Sequence, residues 1–288
     1  MVNDTIRPKP KRLAKPIWIH AGVAGGSLTA LYFAWYRNYP QGRFRTFNDA
    51  GEWLQMDKAG HVLSTYTFSR YSTDLWRKAG YSPRHSLLLG SFVGLGFQTA
   101  VEVMDGFSTQ WGWSWSDMSA NALGTSIYAM QEVFWQEQRV LVKTSFSPRS
   151  YQDPVLEQRN KDLFGKGLPE RSLKDYNGQT YWLSVNLRSF FKNSTVPAWL
   201  NVAVGYGAEG LFGARSNRAI DAVGQVLFDR TDLARYRQWF LSPDIDFQKI
   251  KTGSRFLKTV FNVMNVLKCP APTLEYSQGC VKIRWFFF

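Results

Sequence analysis

The first half of the chain places its apolar residues at helical spacing. A run from Ile17 to Tyr36 carries no formal charge and is long enough to span a bilayer. It has three readings: a transmembrane span, an uncleaved signal anchor or a buried core helix. Further helices are expected over residues 58–79, 86–104 and 117–136. The pattern predicts a bundle of about four helices over residues 17–136, at least partly embedded in a membrane, after a basic and irregular segment over residues 1–16.

The second half alternates apolar and polar residues with period two, which is typical of strands. Strands are expected over Arg139–Ser147, Tyr181–Phe191, Leu200–Phe212, Arg237–Lys249 and Cys280–Phe288. An amphipathic basic helix near residues 254–268 interrupts them. Five or six strands are fewer than the eight of the smallest outer-membrane barrels, so a closed barrel is the minority interpretation. The predicted class is α+β, with an antiparallel β region over residues 137–288.

Composition then narrows the class of partner. A net charge of +13 calls for an anionic partner, either nucleic acid or the headgroups of phospholipid or lipopolysaccharide. The Lys and Arg residues are dispersed and no zinc-finger, P-loop or RNP pattern occurs, which argues against nucleic acid. Twelve Trp residues favour a membrane interface. Membrane lipids or lipopolysaccharide are therefore the expected partners, with a merely solvated basic surface as the alternative.

The two cysteines, Cys269 and Cys280, lie near the C-terminus on either side of a predicted turn. They could form a disulfide in an oxidising compartment or remain two free thiols. No CxxC pair and no Cys/His cluster with the spacing of metal ligands occurs. We therefore expect neither a metal nor a cofactor.

Polar residues form narrow stripes on the predicted helices. Asp57 and His61 lie one turn apart with Lys58 beside them, Glu102 lies on the next helix, and Asp117 and Asn121 lie one turn apart on the last. Such stripes on apolar helices are best satisfied by facing one another, because a lone buried charge is very costly. The sequence predicts a shared network of Asp57, Lys58, His61, Glu102, Asp117 and Asn121.

This network has two interpretations. In a catalytic one, Asp57 orients His61 as a general base and Glu102 or Asp117 acts as a partner acid. In a structural one, the same groups cap helices and pair with one another. Structure is favoured, because no nucleophile elbow, metal-ligand pattern or phosphate-binding glycine loop accompanies the histidine.

Several long stretches resemble the YfiM-like family, whose function is unknown. They are FNDAGEWLQMDKAGH, VEVMDGFSTQWGWSWSDMSANALG, LKDYNGQTYWLSVNLRSF, PAWLNVAVGYGAEGLFG and FLKTVFNVMNVLKCPAPTLEY. The resemblance implies a periplasmic or outer-membrane lipoprotein of a Gram-negative bacterium, in its longer Bacteroidota form. A looser likeness to VanZ-like membrane proteins rests on DKAGH and SWSDMSANALG. The lipidated cysteine expected near the start of such a lipoprotein is not seen.

Together these observations predict a membrane-associated protein of the cell envelope, at the outer membrane or the periplasmic face. Its expected role is structural or accessory, within a larger outer-membrane assembly. The alternative is a membrane-embedded enzyme that acts on a lipid or lipid-linked substrate through the Asp/His/Glu cluster.

Overall fold

The chain folds into two compact units. A computed structural model of the protein describes residues 10–37, 39–221 and 223–288. The helical unit contains the described residues up to Ala50 together with Lys58–Gln138, and the sheet unit contains Gly51–Asp57 and Arg139–Phe288. The described residues include eight α-helices and an antiparallel sheet, so the predicted α+β class is confirmed.

Four long helices build the helical unit. They are α1 (Pro10–Leu31), α2 (Met56–Lys78), α3 (Pro83–Phe107) and α4 (Trp115–Phe134), and a π-helical turn, Tyr32–Tyr36, follows α1. The segment from Pro10 to Pro16, expected to be irregular, is helical, while residues 1–9 of the predicted basic segment lie outside the described residues. Asp57 lies inside the first turn of α2, which begins at Met56.

The buried face of α3 consists of every fourth residue, and these residues are small or polar. They are Ser86, Gly90, Gly94, Gln98, Glu102 and Gly106. A Cβ atom added to Gly94 would lie 2.3 Å from Ser69 Oγ and 2.8 Å from the Ser69 backbone nitrogen. Helices α2 and α3 therefore pack through small residues with their backbones close together, as helices commonly do in lipid.

Length and composition identify one helix that could cross a membrane. Within the described part of the chain this helix is α3, and the predicted span from Ile17 to Tyr36 does not meet the same criterion. By these measures the prediction of a helical bundle at least partly embedded in a membrane is not supported.

A six-stranded antiparallel sheet forms the centre of the sheet unit, with strand order β1-β2-β3-β6-β7-β8. Its strands are β1 (Val140–Phe146), β2 (Gln179–Asn186), β3 (Leu200–Glu209), β6 (Tyr236–Ile245), β7 (Ala271–Ser277) and β8 (Cys280–Phe287). Strands β4 (Arg218–Ile220) and β5 (Val226–Asp229) pair separately. The helices are α5 (Pro154–Phe164), α6 (Leu168–Lys174), α7 (Leu187–Phe190) and α8 (Arg255–Met264).

The sheet is open in its strand pairing, with β1 and β8 at its two edges. The Ser147 hydroxyl, just after β1, nevertheless donates a hydrogen bond to the backbone oxygen of Phe288, just after β8. Phe287 packs against Trp182 and Phe240 in the small apolar core. The two edges thus lie close to each other, but among the described residues β1 and β8 do not pair as neighbouring strands.

Much of the remaining interior of the sheet is polar. Lys143 Nζ and Asp244 Oδ2 form an ion pair of 2.8 Å in which both side chains are completely buried. Asp244 also accepts hydrogen bonds from the Ser184 hydroxyl and from the Cys269 amide, at 2.7 and 2.9 Å. Lys268 is buried beside them, with its ammonium 4.8 Å from the centre of the Trp182 ring.

The disulfide considered between Cys269 and Cys280 is not formed, and both are free thiols. Cys269 precedes β7, whereas Cys280 pairs with Ser277 at the far end of that strand. A strand of this length separates its ends by about 20 Å, and a disulfide needs Cα atoms within about 7 Å.

A short turn with left-handed backbone precedes α2. Trp53, Leu54 and Gln55 have φ values of 48°, 50° and 64°, a conformation that is unfavourable for side chains other than glycine. The Trp53 amide donates to the oxygen of Ala214 at 2.7 Å, and the Tyr206 hydroxyl donates to the Leu54 oxygen. Contacts within the sheet unit therefore hold this turn.

Candidate functional site

Polar side chains from α2, α3, α4 and a preceding loop meet inside the helical unit. The loop carries Asp49 and is fixed by backbone bonds, since the Phe47 amide donates to Trp113 O and the Trp113 amide donates to Arg45 O, both at 2.9 Å. Ser114 caps α4 by accepting a hydrogen bond of 3.0 Å from the Asp117 amide. Loop and cap thus bring Asp49 and Asp117 to the same place.

Lys58 binds both of these carboxylates. Its Nζ lies 2.8 Å from Asp49 Oδ1 and 2.6 Å from Asp117 Oδ1. The hydroxyls of Ser114 and Ser116 each donate to Asp49 Oδ1 at 2.6 Å. Asp49 is therefore the carboxylate of the cluster with the most hydrogen-bond donors around it.

His61 faces a different partner with each ring nitrogen. Nδ1 lies 3.0 Å from Asn121 Oδ1, and because that oxygen can only accept, Nδ1 carries the proton. The lone pair of Nε2 then points towards Glu102 Oε1 and Asp117 Oδ1, each 3.6 Å away. These two distances are too long for hydrogen bonds.

Glu102 is completely buried. Its Oε2 accepts a hydrogen bond from the Ser114 amide at 3.2 Å, whereas Oε1 has no hydrogen-bond partner among the described residues. An unpaired buried carboxylate oxygen is costly and calls for a compensating proton or cation.

The pKa values reflect this crowding. Burial alone would raise the pKa of Asp49, but hydrogen bonds with Asp117, Lys58 and the two serine hydroxyls hold it well below its usual value. Burial and the hydrogen bond with Asp49 raise the pKa of Asp117 to about 8, against the effect of Lys58. Burial lowers the pKa of His61 to about 4, so the imidazole is neutral at pH 7.

The arrangement concentrates acceptors and a neutral imidazole. His61, Glu102 and Asp117 each offer one ligand atom, and these three atoms lie within 4.8 Å of one another, close enough for three ligands of one metal ion. As an acid–base group, the Asp117 carboxyl, with its pKa of about 8, can take up or release a proton at physiological pH, whereas the His61 imidazole stays neutral.

The structure brings together Lys58, His61, Glu102, Asp117 and Asn121 from the predicted network, and their chemical role stays a prediction. Asp57 does not take the predicted part of orienting His61, since Asn121 contacts Nδ1. Asp57 belongs to the sheet unit, where its charge raises the pKa of Tyr181 after the larger effect of burial.

Sequence reasoning missed Asp49, Ser114 and Ser116. A signal for Ser114 was present, because a serine three residues before Asp117 is the pattern of a helix N-cap. Asp49 lies in a loop, and no periodicity within one element connects it with Lys58. Only the fold brings the two together.

One comparison with known proteins gives a match. Residues 46–132 match a family described as predicted periplasmic lipoproteins (DUF2279). The matched range contains all of the clustered residues from Asp49 to Asn121. No curated protein and no solved structure shows significant similarity to the chain.

This match bears on location. The description agrees with a protein of the cell envelope, associated with the membrane at the periplasmic face, and the predicted location is confirmed at that level.

Proposed function

We propose that this protein is a structural or accessory component of the envelope, held in lipid by apolar outer surfaces on both of its units. The observation that carries the proposal is an inverted distribution of side chains. Beside small apolar cores, each unit buries many polar residues and exposes large apolar residues.

On the helical unit the outer surface is made by α3 and α4. Its members are Leu88, Phe92, Val103 and Phe107 of α3, and Trp115, Leu123, Met130, Val133 and Phe134 of α4, with Phe92 76% exposed. Between His85 and Asp105 the single charged residue of α3 is Glu102, which is buried. A helix facing water would carry charges on this face, so lipid is the medium that matches it.

On the sheet unit an exposed apolar row crosses neighbouring strands. Leu183 pairs with Val204, Val204 with Leu241, Leu241 with Leu274 and Leu274 with Ile283. All five side chains are exposed. A contiguous apolar surface of this kind marks an interaction site, and lipid is consistent with the envelope location.

A structural role fits the cluster better than catalysis does, because the cluster is closed. The side chains of Lys58, His61 and Asp117 are 13%, 17% and 8% exposed. The rival candidate is a lipid-processing enzyme, favoured by the neutral His61 beside Glu102. The proposal also includes the YfiM-like and VanZ-like relationships, the Gram-negative outer membrane and membership of a larger assembly, all of which rest on the resemblance in sequence. The match to a family of predicted periplasmic lipoproteins supports the envelope location alone.

Site-specific labelling in liposomes tests the lipid contact. In a background with Cys269→Ser and Cys280→Ser, an environment-sensitive fluorophore is placed at Phe92→Cys or, as the control, at Lys192→Cys on an exposed loop of the sheet unit. Lipids that carry a nitroxide on the acyl chain should quench the label at position 92 and not the label at position 192. Equal and weak quenching at both positions would refute the proposal.

Copurification and substitution distinguish the accessory role from the enzyme. Extraction in mild detergent is expected to recover the protein together with other envelope proteins. His61→Ala should lower the thermal stability of the helical unit, because it leaves Asn121 and Glu102 without their neighbour. A fully folded His61→Ala variant that changes the lipid composition of cells would favour the enzyme.

A further inference from the structure

We propose that His61, Glu102 and Asp117 bind a divalent transition-metal ion, with Zn²⁺ and Mn²⁺ as the ions that match the ligands. The proposal goes beyond the lipid contact and does not depend on it. Helical spacing predicted that these three residues meet, but it gave no indication of a metal, because ligands from three different helices form no ligand motif along the chain.

The first argument is the convergence of acceptors. With its proton on Nδ1, His61 directs a lone pair from Nε2 towards two carboxylate oxygens at 3.6 Å. Glu102 Oε1 is buried and has no hydrogen-bond partner among the described residues. A cation placed between these three atoms would convert mutual repulsion into coordination.

The second argument is geometric. Bonds of about 2.1 Å to a tetrahedral ion hold its ligands about 3.4 Å apart. The distances from His61 Nε2 to Glu102 Oε1 and to Asp117 Oδ1 are both 3.6 Å, and the three residues offer one ligand atom each within 4.8 Å of one another. Small side-chain rotations therefore suffice to close the site, and the three ligands leave a further coordination position open.

The third argument is the support around the ligands. A metal-binding histidine usually donates its other ring N–H to an oxygen, and His61 Nδ1 has Asn121 Oδ1 at 3.0 Å. The Ser114 amide fixes the second oxygen of Glu102 at 3.2 Å. Lys58 holds Asp117 through Oδ1, the same oxygen that faces His61 Nε2, so this oxygen would be shared between the ammonium and the ion. Each ligand is thus oriented before any ion arrives.

Charge balance supports a divalent ion. Within the helical unit, the carboxylates of Asp49, Glu102 and Asp117 face the ammonium of Lys58, and the charge of Asp105 also acts on Glu102. When all are ionised, at least two negative charges remain, and a divalent cation reduces this excess in a buried place. Imidazole together with carboxylates selects zinc or manganese over magnesium and calcium, which prefer oxygen ligands.

The test uses the full chain, purified without a histidine tag and stripped of metal with a chelator. Calorimetric titration with Zn²⁺ and with Mn²⁺ should show one ion bound per chain for at least one of them, and Mg²⁺ should bind more weakly. Glu102→Gln keeps the shape of the side chain and should abolish this binding. Asn121→Ala should weaken it about 10- to 100-fold, because it removes the support of His61.

Glu132→Gln is the matched control. Glu132 is a largely buried carboxylate on α4 that pairs with Arg77, and its replacement should leave metal affinity unchanged. If Glu102→Gln does not fold, Asn121→Ala and the visible spectrum of bound Co²⁺ carry the test. The proposal is overturned if wild-type protein binds neither ion in a saturable way. It is also overturned if Asn121→Ala and Glu132→Gln bind with equal affinity.

Discussion

The buried ion pair of the sheet unit gives a prediction whose size can be worked out. Lys143→Met removes the ammonium that lies 2.8 Å from Asp244 and also donates to the oxygen of Ile245 at 2.7 Å. Asp244 keeps the Ser184 hydroxyl and the Cys269 amide, which are uncharged donors. We expect a loss of about 3–5 kcal/mol in the free energy of unfolding, as for other buried pairs that lose one partner.

We expect the loss in the free energy of unfolding to lie in the lower part of that range, because a second cation remains near Asp244. The charge of Lys268 also acts on Asp244 and remains after the substitution. A loss of this size lowers the unfolding temperature of the sheet unit by on the order of 10 °C. Circular dichroism during heating, in the detergent used for purification, measures this change.

A double substitution separates the charge effect from general damage to the core. Lys143→Met with Asp244→Leu replaces both charges by apolar groups and should recover much of the lost stability, since an apolar pair can replace a buried ion pair at little cost. The reasoning is refuted if Lys143→Met costs under about 1 kcal/mol, or if the double variant is no more stable than the single one.

Two further predictions concern helix packing and pH. Gly94→Ala should lower the free energy of unfolding by about 1–3 kcal/mol, because its Cβ would lie 2.8 Å from the Ser69 backbone nitrogen. Gly96→Ala, whose Cβ would meet open space, should be neutral or slightly stabilising. Thermal unfolding compares the two variants, and equal effects on stability would contradict the packing of α2 against α3. Burial lowers the pKa of Lys268 from 10.5 to about 8, so the unfolded chain binds more protons between these pH values and stability should rise with pH across that window. Denaturant titrations at pH 8 and pH 10 should show this rise in the wild type and a smaller one in Lys268→Met.

Helices α2, α3 and α4 could be predicted to within a few residues because their signals are local, whereas α1 begins seven residues before its predicted start and α5, α6 and α7 were not predicted. The apolar run of α3 begins after Ser82 and Pro83, which cap it, and its polar positions fall four residues apart. This spacing indicated that the polar stripe with Glu102 faces inwards. It did not indicate that small residues such as Gly94 share the buried face while large apolar residues face outwards, which inverts the usual arrangement of a helix in water.

The same inversion hid strand β7. Its residues alternate, but Thr273 and Glu275 are the buried ones and Leu274 and Tyr276 face outwards. The strand therefore lacks the inward row of apolar residues by which strands are recognised. Pro272 near its start also argues against a strand at the sequence level. The metal-ligand geometry was likewise beyond sequence reasoning, because it depends on the distance between three helices.

The left-handed turn before α2 also affects how the chain is made. Residues 58–138 leave the ribosome well before residues 206 and 214, whose backbone and side chain hold the Trp53–Gln55 turn. The conformation of this early segment is therefore completed only when most of the protein has been synthesised. A fragment ending at residue 138 would lack these partners, so the helical unit is best expressed with residues 51–57 replaced by a flexible linker.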